Sequence, residues 1–180
     1  MMYNPDKHHR RSIRLKEYDY SQSALYFVTI CAQNRACLFG EIHLGKMHLN
    51  SAGEMIHRWW NTLPDKFPAI AIDEFVIMPN HFHGIIIITD TTVGADMGLV
   101  RMGANLATVV QWFKTMTTNE YIRGVKNLGW QPFNKRLWQR NYYDHIIRNQ
   151  ESLQHIQEYI HTNPLKWEED QLHPNVPSKW

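Results

Sequence analysis

The sequence specifies an α+β domain, an antiparallel sheet with helices packed on one side, and three observations predict it. Short runs rich in β-branched and aromatic residues alternate with longer runs whose apolar residues recur at helical spacing. Tight turn signals join the strand-like runs, where a parallel sheet would need long crossovers. The resulting order, β-β-α-β-β-α-α, is that of a sheet layered against helices.

Leu25–Ala32 reads Leu-Tyr-Phe-Val-Thr-Ile-Cys-Ala, nearly continuous in apolarity and therefore a buried strand, closed by Gln33-Asn34-Arg35. Leu38–Leu49 alternates more, with Ile42, Leu44 and His48 among polar residues, and its short separation from the first strand predicts an antiparallel hairpin between the two. Asn50-Ser51 is placed to cap a helix from Ala52 to about Leu63, in which Met55, Ile56, Trp59, Trp60 and Leu63 form one stripe before Pro64 and Pro68 end it. Ala69–Met78 and His81–Thr89 are strands about the Pro79-Asn80 turn. Asp90 to Gly103 is Gly- and Thr-rich and reads as a loop; Leu106–Arg123 is a second helix, with Val109, Val110, Phe113, Met116 and Tyr121. Trp138–Ile147 is aromatic and mixed and takes no assignment, and Glu151–Thr162 is a third helix stopped by Asn163-Pro164.

At 180 residues, with 43% hydrophobic and 20% charged residues, the chain suits one globular domain and lacks the signature of disorder. The expected division is a basic extension over 1–20, a domain over 21–167 and a C-terminal tail over 168–180. No run reaches the ~18 apolar residues of a membrane span, and Met1–Lys16 has no apolar signal core, so a cytoplasmic protein without membrane association is expected. Cys31 and Cys37 form no Cys-x-x-Cys pair, which excludes a zinc knuckle or a disulfide framework. Net charge is only +2, but basic residues cluster at Lys7, Arg10, Arg11, Arg14 and Lys16, and again at Lys135, Arg136, Arg140 and Arg148, where they can grip phosphates.

The chemistry centres on Met78-Pro79-Asn80-His81-Phe82-His83-Gly84. On a strand, His81 and His83 share one face while Phe82 faces the other, so the two imidazoles can take adjacent corners of one divalent ion. A catalytic ion needs a further protein ligand and open positions for substrate oxygens. In Glu158-Tyr159-Ile160-His161-Thr162-Asn163-Pro164, Tyr159 and Asn163 lie four apart on one helical face, so one helix can deliver a nucleophile and a ligand together. A phenol with pKa near 10 needs a neighbouring cation or base to attack a phosphodiester at neutral pH.

With these residues the chain resembles the HUH-superfamily single-tyrosine transposases, in the branch of REP-associated tyrosine transposases. The resemblance rests on Phe75–His83, on Trp138–Asn149 and on Glu158–Pro164, and it extends from about Arg11 to Trp167. It implies a ferredoxin-like or RRM-like sheet and a magnesium or manganese ion held by His81 and His83, with Asn163 at the third ligand position. Tyr159 is then the nucleophile, forming a 5′-phosphotyrosine link with single-stranded, hairpin-bearing DNA, and the enzyme acts as a monomer or homodimer.

Lys114, on the second helix, and Arg140 and Arg148 complete the expected DNA contacts with Arg10, Arg11 and Arg14. Tyr142 and Tyr143 are rival nucleophiles, equally readable as packing or base-stacking aromatics. His145 and His161 read as exposed residues without a ligand role. Two other functions stay open: a water-using metal-dependent nuclease, which would dispense with Tyr159, and a hairpin-binding protein without catalysis.

Overall fold

A computed structural model describes residues 23–89 and 105–177. In chain order the elements are β1 (Ala24–Cys31), β2 (Gly40–His43), β3 (Lys46–Leu49), α1 (Ser51–Asn61), α2 (Leu63–Lys66), β4 (Ile70–Ile77), β5 (His81–Ile88), α3 (Leu106–Leu128), β6 (Tyr143–Ile147) and α4 (Gln150–Thr162). One four-stranded sheet runs in the order β4-β5-β1-β6, with every ladder antiparallel. Leaving aside the small β2–β3 ribbon, this is the βαββαβ arrangement of a ferredoxin-like fold, with β1 and β5 in the centre.

Strand alternation creates two faces with different tasks. On one, Tyr26, Val28 and Ile30 of β1 and Phe82, Ile86 and Ile88 of β5 are buried against Met55, Ile56 and Trp60 of α1 and Leu106, Val109 and Phe113 of α3. Each such side chain contributes about 1.5–3 kcal/mol by leaving water. Gly84 makes room for this layer: a Cβ there would lie 2.6 Å from the Trp60 ring. The helices start as the sequence predicts, with Asn50 accepting from the Ala52 and Gly53 amides and Asn105 accepting from Ala107. On the opposite face α4 packs Ile156 and Ile160 against Phe27, Ile85 and Ile147.

Three expectations change. Leu38–Leu49 does not pair with β1; it folds on itself as β2–β3 about Leu44 and Gly45, both at positive φ, as a two-residue hairpin turn requires. Asn34 and Arg35, also at positive φ, turn the chain away after β1, whose neighbours are β5 and β6 instead. The end of the unassigned Trp138–Ile147 stretch is β6, and α3 continues past Arg123 to Leu128, where Gly129 at φ 70° terminates it. Among the described residues, no helix is long and apolar enough to cross a membrane.

Candidate active site

The alternation that sends Phe82 into the core sends His81 and His83 to the other face, where they lie opposite Cys31 and Thr29 of β1. Both imidazoles are buried, and their rings sit 4.6 Å apart centroid to centroid. Hydrogen bonds from the turn and from β1 set their orientation. The Asn80 amide donates to the carbonyls of Arg35 and Leu172, which aims its Oδ1 at His81 Nδ1, 2.7 Å away. His83 Nδ1 lies 2.8 Å from Thr29 Oγ1. With the Nδ1 atoms occupied, both residues turn Nε2 toward the centre of the site. Partners of this kind fix tautomer and ring direction in metal-ligating histidines.

Burial drives His81 down to about 3, against a weaker opposing influence of the nearby Asn163 amide. It drives His83 well below the ordinary range too, helped by the neighbouring His81. Both rings are therefore neutral at pH 7, the form that donates a lone pair to a metal.

Tyr159, on α4, donates its hydroxyl to His83 Nε2 at 3.2 Å. Phe27 buttresses the pair, stacked on His83 at 5.3 Å and edge-on to Tyr159 at 6.0 Å. The phenol is pushed up to about 12, first by burial and then by the charge of Asp170, with a bond to Asn163 opposing. In this state the tyrosine holds its proton, and positive charge close to Asp170 would reverse the effect.

Just beyond α4, Asn163 opens a 3-10 segment, Asn163–Glu169, that leads to Asp170. The Asp170 carboxylate faces His81 Nε2 at 3.9 Å, and the Asn163 amide donates to it at 3.4 Å. Ligand atoms of His81, His83 and Asp170 all lie within 4.8 Å of one another. His81 Nε2 and Asn163 Oδ1 are buried without a hydrogen-bond partner among the described residues. An unsatisfied buried acceptor costs about 1–3 kcal/mol, and two of them beside a carboxylate are donors that a cation can satisfy. The nitrogen and oxygen donors fit a divalent cation. The groove over this cluster has a volume of about 530 Å³ and is bordered by Tyr142, Tyr143 and Lys166.

No protein-family model matches the chain. A Haemophilus influenzae protein described as uncharacterized is 44% identical over 177 residues, covering 95% of this chain and 97% of its own. A second H. influenzae protein, provisionally named a REP-associated tyrosine transposase, is 24% identical over 151 residues, 82% of this chain and 74% of its own. The solved structure of a REP-associated tyrosine transposase bound to a REP hairpin has the same fold, with a TM-score of 0.58 at 18% identity over 94% of this chain and 91% of that one. The chain is thus similar to REP-associated tyrosine transposases in sequence and in fold.

The fold brings together five residues, four that the sequence marked on separate elements and one, Asp170, that it did not. The two pairs, His81 with His83 on β5 and Tyr159 with Asn163 at the end of α4, meet on one face of the sheet. Asp170 was not singled out: it falls in the segment 168–180 expected as a C-terminal tail, yet Asp170, Gln171 and Leu172 border the groove over the site. Arg35 holds this segment by donating to the carbonyls of Gln171, His173 and Val176. Thr29, Phe27 and Asn80 likewise carry no local signal of their roles.

The expected DNA contacts divide. Arg140 and Arg148 are exposed. Lys114 instead directs its ammonium inward to the carbonyls of Gln139 and Arg140, at 2.6 and 3.0 Å, and burial lowers it to about 8. That makes it a brace for the segment entering β6. Arg10, Arg11 and Arg14 lie outside the described residues. His161 faces Glu74 at 3.5 Å on the surface, away from the cluster.

Proposed function

We propose that the chain cleaves and rejoins single-stranded, hairpin-bearing DNA through a covalent bond to Tyr159, with a magnesium or manganese ion held by His81, His83, Asp170 and Asn163. The observation that carries this reading is the 3.2 Å contact between the Tyr159 hydroxyl and His83 Nε2, which puts the phenol directly at the donor cluster. The bound ion would supply positive charge to a phosphodiester oxygen and stabilise the phenolate.

The chain's own residues do the rest. Phe27 fixes the phenol against His83, Thr29 and Asn80 hold the imidazoles in the ligating tautomer, and Asp170 and Asn163 complete the donor set. Tyr159 Oη forms a bond to phosphorus as the bond from phosphorus to the 3′-oxygen breaks. The phenol loses its proton and the departing 3′-oxygen gains one. One phosphoester bond replaces another, so resealing by a 3′-hydroxyl needs no nucleotide cofactor. Hairpin DNA as the substrate is supported by the REP hairpin in the related solved structure.

The test uses end-labelled single-stranded hairpin oligonucleotides with manganese, resolved on a denaturing gel. Wild type is expected to form a protein–DNA adduct that is absent with chelator and absent in Tyr159→Phe. Cleavage that survives Tyr159→Phe would replace this reading with a water-using nuclease. Binding without cleavage under all these conditions would replace it with a hairpin-binding protein.

A further inference from the structure

A second cavity, with a volume of about 460 Å³, opens where β6 meets the start of α4. None of the donor cluster lines it, but Phe27 and Tyr143 border both this cavity and the groove over Tyr159. The sheet register explains the continuity. Tyr143 pairs with Thr29, which pairs with His83; His145 pairs with Phe27. Tyr143 and His145 therefore extend the site face of the sheet outward from the donor cluster toward its β6 edge.

We propose that this cavity receives one unpaired nucleobase of the DNA strand, next to the reacting phosphate; the proposal rests on the single-stranded DNA reading given above. Three features favour a base as the occupant. The floor is apolar, formed by Phe27 and Ile156, and Tyr143 is 43% exposed beside it, so a flat ring meets apolar and aromatic surface. The rim carries Ser152, His145 and His155, which can donate to or accept from the edge of a base. Glu151, in the first turn of α4, occupies the position where a helix N-terminus would otherwise attract a phosphate. A phosphate is thereby disfavoured and a neutral heterocycle is not. Tyr143 thus acts as a binding residue beside the nucleophile.

The test is an abasic scan. Hairpin oligonucleotides carry a single abasic nucleotide moved stepwise through the positions flanking the cleaved bond, and affinity is read by fluorescence anisotropy in chelator at fixed salt. For wild type and Tyr143→Phe, one position is expected to weaken binding about tenfold, the scale of losing one stacked base. In Tyr143→Ala the intact and abasic strands at that position should bind alike. His155→Ala, on the opposite wall, should reduce the same penalty and serves as the second variant, with thermal melting confirming that both fold. The proposal is overturned if the penalty persists unchanged in Tyr143→Ala, or if no position shows one while the hairpin strand is still bound. Failure to bind any single-stranded DNA overturns the functional reading as well.

Discussion

The two faces of β5 solve opposite problems with adjacent residues. Phe82 is fully buried among Trp60, Phe75 and Phe113, with ring centroids 4.4, 5.9 and 5.6 Å away. One residue to either side, His81 and His83 are as deeply buried, yet their neighbours are a hydroxyl, two amides, a carboxylate and a phenol. The core face gains stability from complementary shape. The site face leaves buried acceptors unpaired, a cost that the rigid core face makes tolerable.

Substitutions on the two faces should therefore separate stability from binding. The largest effect on stability is expected for Phe82→Ala, about 3–5 kcal/mol in urea denaturation, because the aromatic layer cannot close over the void. His83→Ala should cost far less in the same measurement and should weaken metal binding at least about tenfold instead. Equal losses of stability from both would erase the distinction between the faces.

Asp170→Asn removes the charged donor while keeping its shape. Manganese affinity by titration calorimetry should fall at least about tenfold, with the fold retained. An unchanged affinity would leave Asp170 as a structural contact of the segment 168–177 only.

Lys114→Met tests the division among the basic residues. Loss of its two carbonyl bonds should lower stability by about 1–3 kcal/mol. Arg140→Ala should leave stability within about 0.5 kcal/mol and reduce the salt dependence of DNA binding by roughly one phosphate contact. The reverse pattern would make Lys114 the DNA contact.

The smallest effect sharpens the comparison most. His83 Nε2, the nitrogen facing the donor cluster, accepts the Tyr159 hydroxyl. A cation on that nitrogen must displace the bond, so Tyr159→Phe should tighten manganese binding about two- to tenfold, the worth of one hydrogen bond. Weaker binding in the variant would mean that the phenol oxygen itself supports the ion.

The features legible in the sequence are those set by local periodicity. The alternation in His81-Phe82-His83 and the four-residue step from Tyr159 to Asn163 fix which side chains share a face, whatever the rest of the chain does. Strand β6 is different: Tyr143–Ile147 is a short edge strand whose extended form comes from pairing with β1, a partner far away in sequence. The β2–β3 ribbon was hidden for a related reason, because Leu44 at positive φ is an unusual turn residue and Gly45 is the one local signal of the turn. Asp170 reaches the site through the 3-10 segment after Pro164 and the grip of Arg35 on the carbonyls beyond it, and neither has a periodic signature.

The central claim, that this face of the sheet is a metal centre serving Tyr159, is tested most directly by electron paramagnetic resonance of the protein with one equivalent of manganese and nitrogen-15 histidine. Hyperfine coupling to two histidine nitrogens is expected, with one lost in His81→Ala and one in His83→Ala. Manganese bound without nitrogen coupling, or no specific binding at all, would contradict the account.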